Sequence, residues 1–534
     1  MMQETDKAAR HLLCAAVVFC AVLVLYASSV SPNLLWDDEE WIGNNTFITK
    51  CSHLSVALNP VNLIKMVPVP MCSRPVVNAS LIADTCARNG IAGMKLTNVI
   101  FHAFNAAAVF LLLLTLSGFE AGAFLGAMLF AVHPIAAETI HIITFRSHLL
   151  GFFFFSFGLS FATFFSRKPS ATTATMAALC YFLALMSVET PLVLPLAIFS
   201  VAYFDSGREG VRKTLPLLAV MAAIALFYIW FRTPRSGYAI PEVSTPGIAG
   251  PSFLYPIGLL PQGIPGHKIG VIPLPWAEVY SSPLTNLFTM SRIFLEYLGT
   301  MLTALGLNSD YNPEVIKTFR QGIIPFTAAI CVLAAGGYFL IKRNLAGLGL
   351  LLVVITLLPV LNIIPVYNIK ASRYLYFPLA GLALASAGIL QASLKHKGRK
   401  HAALGVAALW IFGLGTVTVR RNPEFRDNRA FFSGVVKRDP GIPRAQVNLS
   451  RAALLEGDCS GAVRHASLAL ELAPSSPILR LRLASNLAFC GRRGDALKEA
   501  EATLKQFPND NYARTIVNSL RKGKPPAAAK RRRP

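Results

Sequence analysis

Long apolar runs separated by short basic loops constrain this chain more than any other feature. The first extends from Leu12 to Val30, and comparable runs recur as far as residue 420. A helix of about 20 apolar residues crosses the roughly 30 Å hydrocarbon core of a bilayer. Only 14% of the 534 residues are charged, against about 25% in a typical soluble protein. The pattern therefore predicts an all-α, polytopic membrane helix bundle.

The apolar runs divide into eleven predicted spans. The first is interpreted as a retained anchor, with a cleaved signal peptide as the alternative. The apolar segment 286–306 carries Arg292 and Glu296, so it is predicted to be an interfacial amphipathic helix. The spans are expected at 11–30, 93–116, 119–133, 147–165, 173–188, 190–205, 214–231, 322–341, 346–364, 374–393 and 401–419.

The net charge of +23 is attributed to membrane orientation rather than to nucleic-acid binding. Lys and Arg collect in short loops between the apolar runs, and such loops face the cytoplasm. Two outer loops (31–91 and 232–321) and everything after residue 420 are then expected outside the cytoplasm. The predicted location is a bacterial inner membrane with the carboxyl-terminal part in the periplasm, or the endoplasmic reticulum membrane in a eukaryote.

The carboxyl-terminal part repeats with a period of 34 residues. Pro440, Pro474 and Pro508 keep this spacing, and so do Gly457 and Gly491. The pattern resembles the tetratricopeptide repeat, a helical hairpin that stacks on its neighbours, and it offers a surface for a protein partner. The predicted domains are a membrane domain at 1–420, a repeat domain at 421–522 and a basic disordered tail at 523–534.

Five cysteines fall in segments that are expected outside the cytoplasm, where disulfides persist. They are Cys51, Cys72, Cys86, Cys459 and Cys490. Stacked hairpins would bring Cys459 and Cys490 near each other, which favours a disulfide between them. Free buried thiols are the alternative.

An acidic cluster directly follows the first span. Asp37, Asp38 and Glu39 stand after Trp36, and a fourth carboxylate follows them. Adjacent carboxylates repel one another, which raises the pKa of at least one. Such a group could act as a general base on an acceptor hydroxyl, and its neighbour could orient the acceptor or bind a divalent metal. A solvated turn that caps the next helix is the alternative.

A second polar cluster lies between two predicted spans. His133, Glu138, His141, Arg146 and His148 occur within sixteen residues. Ionisable groups at membrane depth are costly and usually face a cavity or each other. The histidine spacing fits no standard zinc ligand set, so no metal site is predicted here. An ordinary interfacial cluster is the alternative.

Three further sites carry polar residues beside apolar runs. Glu189 interrupts two apolar runs, Asp310 precedes a tyrosine, and Arg373 and Tyr374 open the tenth span. An arginine at the mouth of a span suits a lipid phosphate, because the guanidinium offers a planar fork of donors. Snorkelling anchors are the alternative.

At these residues the chain resembles the C superfamily of membrane glycosyltransferases (GT-C). It is most similar to the transmembrane and tetratricopeptide-repeat-containing O-mannosyltransferases and their bacterial relatives. The matching segments are Trp36-Asp37-Asp38, His133 to Glu138 with Arg146, Ser187 to Thr190, Leu305 to Tyr311, and Ser372 to Pro378.

The resemblance implies an inverting transfer from a polyprenyl-phosphate sugar to a protein or glycan acceptor. It implies that Asp37 or Asp38 is the base, that Glu138 lines the site and that Arg146 and Arg373 hold the donor phosphate. The family often has a lysine where this chain has Val188. No cofactor is required, although a divalent metal is compatible with the acidic cluster.

Two other functions remain open at this point. One is the transfer of a whole glycan, as in an O-antigen ligase or an oligosaccharyltransferase. The other is a non-catalytic membrane scaffold that docks partners through its repeats.

Overall fold

The computed structural model of this protein describes residues 2–27, 30–59, 74–232, 279, 282–363, 368–395 and 400–523. The structure is 81% helical, and the described ranges contain no strand. It divides into two compact units. The first takes in the described residues up to 307 and those from 315 to 426, and the second takes in 308–314 and 427–523.

Fourteen α-helices of the first unit are numbered here in chain order. They are α1 Met2–Tyr26, α2 Leu54–Ala57, α3 Pro75–Cys86, α4 Gly90–Ser117, α5 Glu120–Val132, α6 Ala136–His141, α7 Arg146–Arg167, α8 Ala171–Leu185, α9 Leu194–Arg232, α10 Pro283–Thr303, α11 Phe319–Ile341, α12 Leu345–Leu357, α13 Pro378–Leu394 and α14 Lys400–Arg421.

Six helical segments in the described residues are long and apolar enough to cross a membrane, so the chain is compatible with an integral membrane protein. Four of the predicted spans fall instead on apolar helices of 10–17 residues. Two others, 190–205 and 214–231, lie on either side of Gly207 in α9, where a non-helical backbone (φ 62°, ψ −143°) joins two helical segments. The count of eleven therefore stays a prediction. The six segments are Asp6–Tyr26, Gly90–Ser117, Ile143–Arg167, Thr190–Trp230, Phe319–Ile341 and Lys400–Phe425.

Helices α12 and α13 pack backbone against backbone. A Cβ added at Gly381 would come within 2.7 Å of both the Gly349 carbonyl oxygen and the Val353 nitrogen. Small residues allow such close approach between membrane helices. This packing fixes α13, whose amino-terminal end follows the 3-10 turn Ser372–Leu375.

The predicted first outer loop contains folded structure of its own. Ile42, Phe47, Val77 and Leu81 of this loop share an apolar core with Met94, Ile143 and Leu150 of the neighbouring helices. A disulfide joins Cys51 to Cys86, with the two Cα atoms 5.4 Å apart, and so ties the end of α3 to the segment before α2. Cys72 lies outside the described residues.

The second unit is a succession of antiparallel helices in which each packs on the next. Gly457 and Gly491 hold equivalent left-handed conformations, with φ of 83° and 82°, at two of the turns. A disulfide joins Cys459 to Cys490. The helices are α15 Asn428–Arg438, α16 Pro443–Leu455, α17 Cys459–Leu472, α18 Pro477–Phe489, α19 Arg493–Gln506 and α20 Asn511–Arg521.

Candidate functional site

Short breaks between helices of the first unit bring several of the predicted residues to one end of the bundle. The acidic turn follows α1, Glu138 lies on the one-and-a-half-turn helix α6, and Arg373 lies on the 3-10 turn before α13. Arg146 begins α7. Each break interrupts an apolar helix, which lets polar side chains face one another instead of lipid.

The acidic turn begins with a strained residue. Trp36 has a φ of 47°, a left-handed conformation that bulky residues rarely adopt. Its ring packs edge-on against Phe145, with centroids 6.2 Å apart. Strained backbone of this kind concentrates at functional sites because surrounding contacts must maintain it.

Asp38 is a fully buried anchor within this turn. Its carboxylate accepts hydrogen bonds from the backbone nitrogens of Ile143 (3.1 Å) and Thr144 (2.8 Å), and from the Thr144 hydroxyl (2.8 Å). Burial raises the pKa of Asp38 to about 6, although these hydrogen bonds oppose the increase. These hydrogen bonds hold the acidic turn against the segment before α7. Asp37 is half-buried and is therefore the more accessible of the two aspartates.

Arg373 is the centre of the candidate site. Its guanidinium is only 6% exposed and donates a 3.0 Å hydrogen bond to Glu138. It also lies over the rings of Phe145 (4.4 Å) and Trp36 (5.9 Å), and it is within electrostatic range of Asp37. A guanidinium has five N–H donors, and Glu138 is its one hydrogen-bond acceptor among the described residues.

Arg146, in contrast to Arg373, is surrounded by protein acceptors. It is fully buried and forms an ion pair of 2.6 Å with Asp84. It also donates to the Asn98 side chain and to the Met94 carbonyl oxygen, both at 2.7 Å. Protein groups thus occupy this guanidinium, which favours a role in positioning α3, α4 and α7 over direct contact with a donor phosphate.

Glu189 has a cationic partner that sequence reasoning did not select. Arg74 donates to both Glu189 carboxylate oxygens, at 3.0 and 3.3 Å, and both side chains are half-buried. The ring of His148 is within electrostatic range of Arg74, Glu189 and Arg373. Arg74 stands alone between apolar stretches, and nothing in its local sequence distinguishes it from the other basic residues.

Tyr374 lies near both ion pairs, with its ring centroid 5.3 Å from the guanidinium carbon of Arg373. It is half-buried and lies within electrostatic range of Arg373, Glu138 and Glu189. The site therefore has a buried floor, formed by Arg373 and Glu138. Its rim is half-buried and includes Arg74, Glu189 and Tyr374.

Other predicted residues occupy structural positions. The His133 ring bonds to the Met301 carbonyl oxygen at 2.9 Å and accepts a hydrogen bond from the Ile135 nitrogen. Glu39 is half-buried at the start of the helical turn Glu39–Gly43. Asp310 belongs to the second unit, where Arg444 forms an ion pair with it. Within the described ranges, no group of three or more His, Cys, Asp or Glu side chains is arranged to hold a metal ion.

Comparison with protein-family models, curated proteins and solved structures finds no significant match.

Proposed function

We propose that this chain is a membrane glycosyltransferase that moves a sugar from a polyprenyl-phosphate donor to a hydroxyl of a protein or glycan acceptor, with inversion. The observation that carries the proposal is the setting of Arg373. A nearly buried guanidinium with several donors that no described residue accepts, beside a more accessible aspartate, suits an anionic phosphate next to a general base.

Asp37 is the proposed base. Its carboxylate takes the proton of the acceptor hydroxyl while the acceptor oxygen bonds to the sugar C1 carbon. The bond between C1 and the phosphate oxygen breaks on the opposite face, and its electron pair leaves with the phosphate. Arg373 stabilises the negative charge that grows on this leaving group. The products are the glycosylated acceptor, the polyprenyl phosphate and a protonated Asp37.

The remaining polar residues divide into two groups by their contacts. Arg74 and Tyr374 stand on the half-buried rim, where they can reach a bound donor or acceptor. Asp38 and Arg146 have their hydrogen-bonding capacity occupied by protein groups, so we assign them to positioning the acidic turn and the start of α7.

We propose further that the second unit is a short tetratricopeptide-type array on the extracytoplasmic side. The 34-residue period and the matched left-handed glycines at its turns support this assignment. Such an array would hold a protein partner or a protein acceptor.

Comparative glycomics and glycoproteomics test the function whichever sugar is transferred. A strain that lacks the gene is complemented with the wild type, Asp37→Asn or Glu471→Gln. The last is a matched carboxylate-to-amide control on the exposed surface of α17. We expect the Asp37→Asn strain to lose the same glycan or glycopeptides as the deletion strain, and the Glu471→Gln strain to retain them.

Protein levels in the membrane fraction must match across these strains, because loss of the folded protein would imitate loss of activity. Retention of every glycan by an equally abundant Asp37→Asn protein would refute the assignment of Asp37 as the base.

A further inference from the structure

A polar cavity of about 200 Å³ lies at the opposite end of the first unit's helices from the candidate site. Helices α4, α7 and α13 all begin near the candidate site, and the cavity lies where α4 and α13 end and α12 begins. Its polar lining consists of Ser117, Arg343, Asn344, Gln391 and Lys395.

The cavity has an excess of positive charge. Arg343 and Lys395 both line it, and neither has a carboxylate partner in the part of the chain that the structure describes. Other basic residues do find partners: Arg167 pairs with Asp205 at 2.8 Å, and Lys213 pairs with Glu209 at 3.8 Å. Two cations without neutralising carboxylates, lining one polar cavity, favour an anionic ligand.

Arg343 occupies a position that glycine would normally take. It follows the end of α11 with a φ of 50°, and helices commonly end on a left-handed glycine at this point. An arginine here retains a strained backbone, which is the kind of compromise found at ligand sites.

The kink in α9 makes room for this side chain. Gly207 has a φ of 62°, and a Cβ added to it would collide with the Arg343 guanidinium. Next along the chain, the Asn344 side chain caps α12 by accepting a hydrogen bond from the Gly347 nitrogen. The positive end of the α12 dipole thus adds to the charge at the cavity.

We propose that this cavity binds the phosphate of an anionic phospholipid headgroup. Leu116, Phe204, Leu345 and Ala392 also line the cavity, so the phosphate site is bordered by apolar side chains at the ends of membrane helices. Basic pockets between membrane helices recognise anionic headgroups in this way. The ligand chemistry is a phosphate, and the apolar border identifies its source as a lipid.

Native mass spectrometry of the full-length protein in detergent tests this proposal. The protein is titrated with phosphatidylglycerol, with phosphatidylcholine and with inorganic phosphate. We expect the wild type to prefer phosphatidylglycerol over phosphatidylcholine at least tenfold. Arg343→Gly should reduce phosphatidylglycerol affinity at least tenfold, and Lys342→Gln, next to the cavity but not lining it, should leave the affinity unchanged.

Glycine suits the left-handed backbone at position 343, so Arg343→Gly should melt at or above the wild-type temperature. A loss of lipid binding in that variant would then not be attributable to unfolding. Equal phosphatidylglycerol affinity in Arg343→Gly and wild type would overturn the site. Equal affinity for both lipids, or equal affinity for inorganic phosphate and phosphatidylglycerol, would overturn its assignment to an anionic lipid.

Discussion

Two buried arginines of the first unit differ in how many of their N–H groups are accepted by protein atoms. Arg146 has an acidic partner, an amide and a carbonyl oxygen around it, whereas Arg373 has Glu138 and aromatic faces. The Arg373 donors that no described protein atom accepts are available to a ligand, whereas those of Arg146 are taken up by protein groups. This difference favours a ligand contact for Arg373 and a structural role for Arg146. In the sequence the two residues cannot be told apart, because each is an arginine at the start of an apolar run.

Asp38 gives the protein a specific pH dependence of stability. Its pKa is about 6 in the folded state and about 3.9 in an unfolded chain. Between these values the native state binds a proton that the unfolded state releases, so this group lowers stability as pH rises from about 4 to 6. We expect the difference in stability, wild type minus Asp38→Asn, to fall by roughly 2 kcal/mol over that window.

Apparent melting temperatures of the two purified proteins, measured in parallel from pH 4 to pH 7, provide the check. Asp38→Asn lacks the titrating group, so it provides the baseline with which the wild type is compared at each pH. A difference that does not change with pH would show that Asp38 does not titrate in this range.

Sequence reasoning identified the acidic cluster but could not separate the roles of its members. Asp37 and Asp38 are adjacent, and their difference arises from contacts with Ile143 and Thr144 more than a hundred residues away. Arg74 was missed for the same reason, because its partner Glu189 is 115 residues distant.

The sequence was most informative about where the helices lie. Each predicted span coincides with an apolar helix, because a long apolar run has few other ways to satisfy its backbone in a membrane. The lengths were harder to predict. The helices α5, α8, α12 and α13 are shorter than the runs suggested. The basic residues at 208–213 directly follow the break at Gly207 and belong to the second helical segment of α9.

The close contact between α12 and α13 leads to a prediction about the stability of the helix packing. A methyl group at Gly381 would meet backbone atoms of α12 that cannot rotate away. We expect Gly381→Ala to destabilise the protein by about 1–3 kcal/mol through overpacking. Gly405→Ala on α14, where a Cβ meets nothing within 4 Å, should be neutral or stabilising because alanine favours helix.

Thermal unfolding of both variants in the same detergent measures this difference. Equal melting temperatures for Gly381→Ala and Gly405→Ala would contradict the close packing of the two helices.

The described residues contain two disulfides, one in each unit. Cys51 pairs with Cys86 and Cys459 pairs with Cys490. Disulfides persist in oxidising compartments, so we expect the first outer loop and the second unit to face the same, extracytoplasmic side. The orientation predicted from the basic loops leads to the same expectation.

Single-cysteine labelling in intact spheroplasts tests this topology. The background keeps both disulfides and replaces every other cysteine with alanine. A membrane-impermeant maleimide should label Ser52→Cys and Lys522→Cys in intact cells, but Lys342→Cys only after permeabilisation. Labelling of Lys342→Cys in intact cells, or protection of either of the other two, would contradict the orientation.

Long-range organisation was the least predictable from sequence. Asp310, one of the predicted site residues, belongs to the second unit, where it forms an ion pair with Arg444. The unit boundary after Arg426 lies near the predicted one at 420, because the apolar run ends there and the 34-residue period begins soon after.

Transfer of labelled sugar tests the central claim most directly. Purified protein in liposomes is supplied with radiolabelled polyprenyl-phosphate hexoses and with acceptor membranes from the deletion strain. We predict that the wild type moves label into the acceptor fraction and that Asp37→Asn does so at least about 100-fold more slowly, since a general base contributes about 10²–10⁴-fold. Equal transfer by both proteins, or no transfer by the wild type from any donor, would contradict this account.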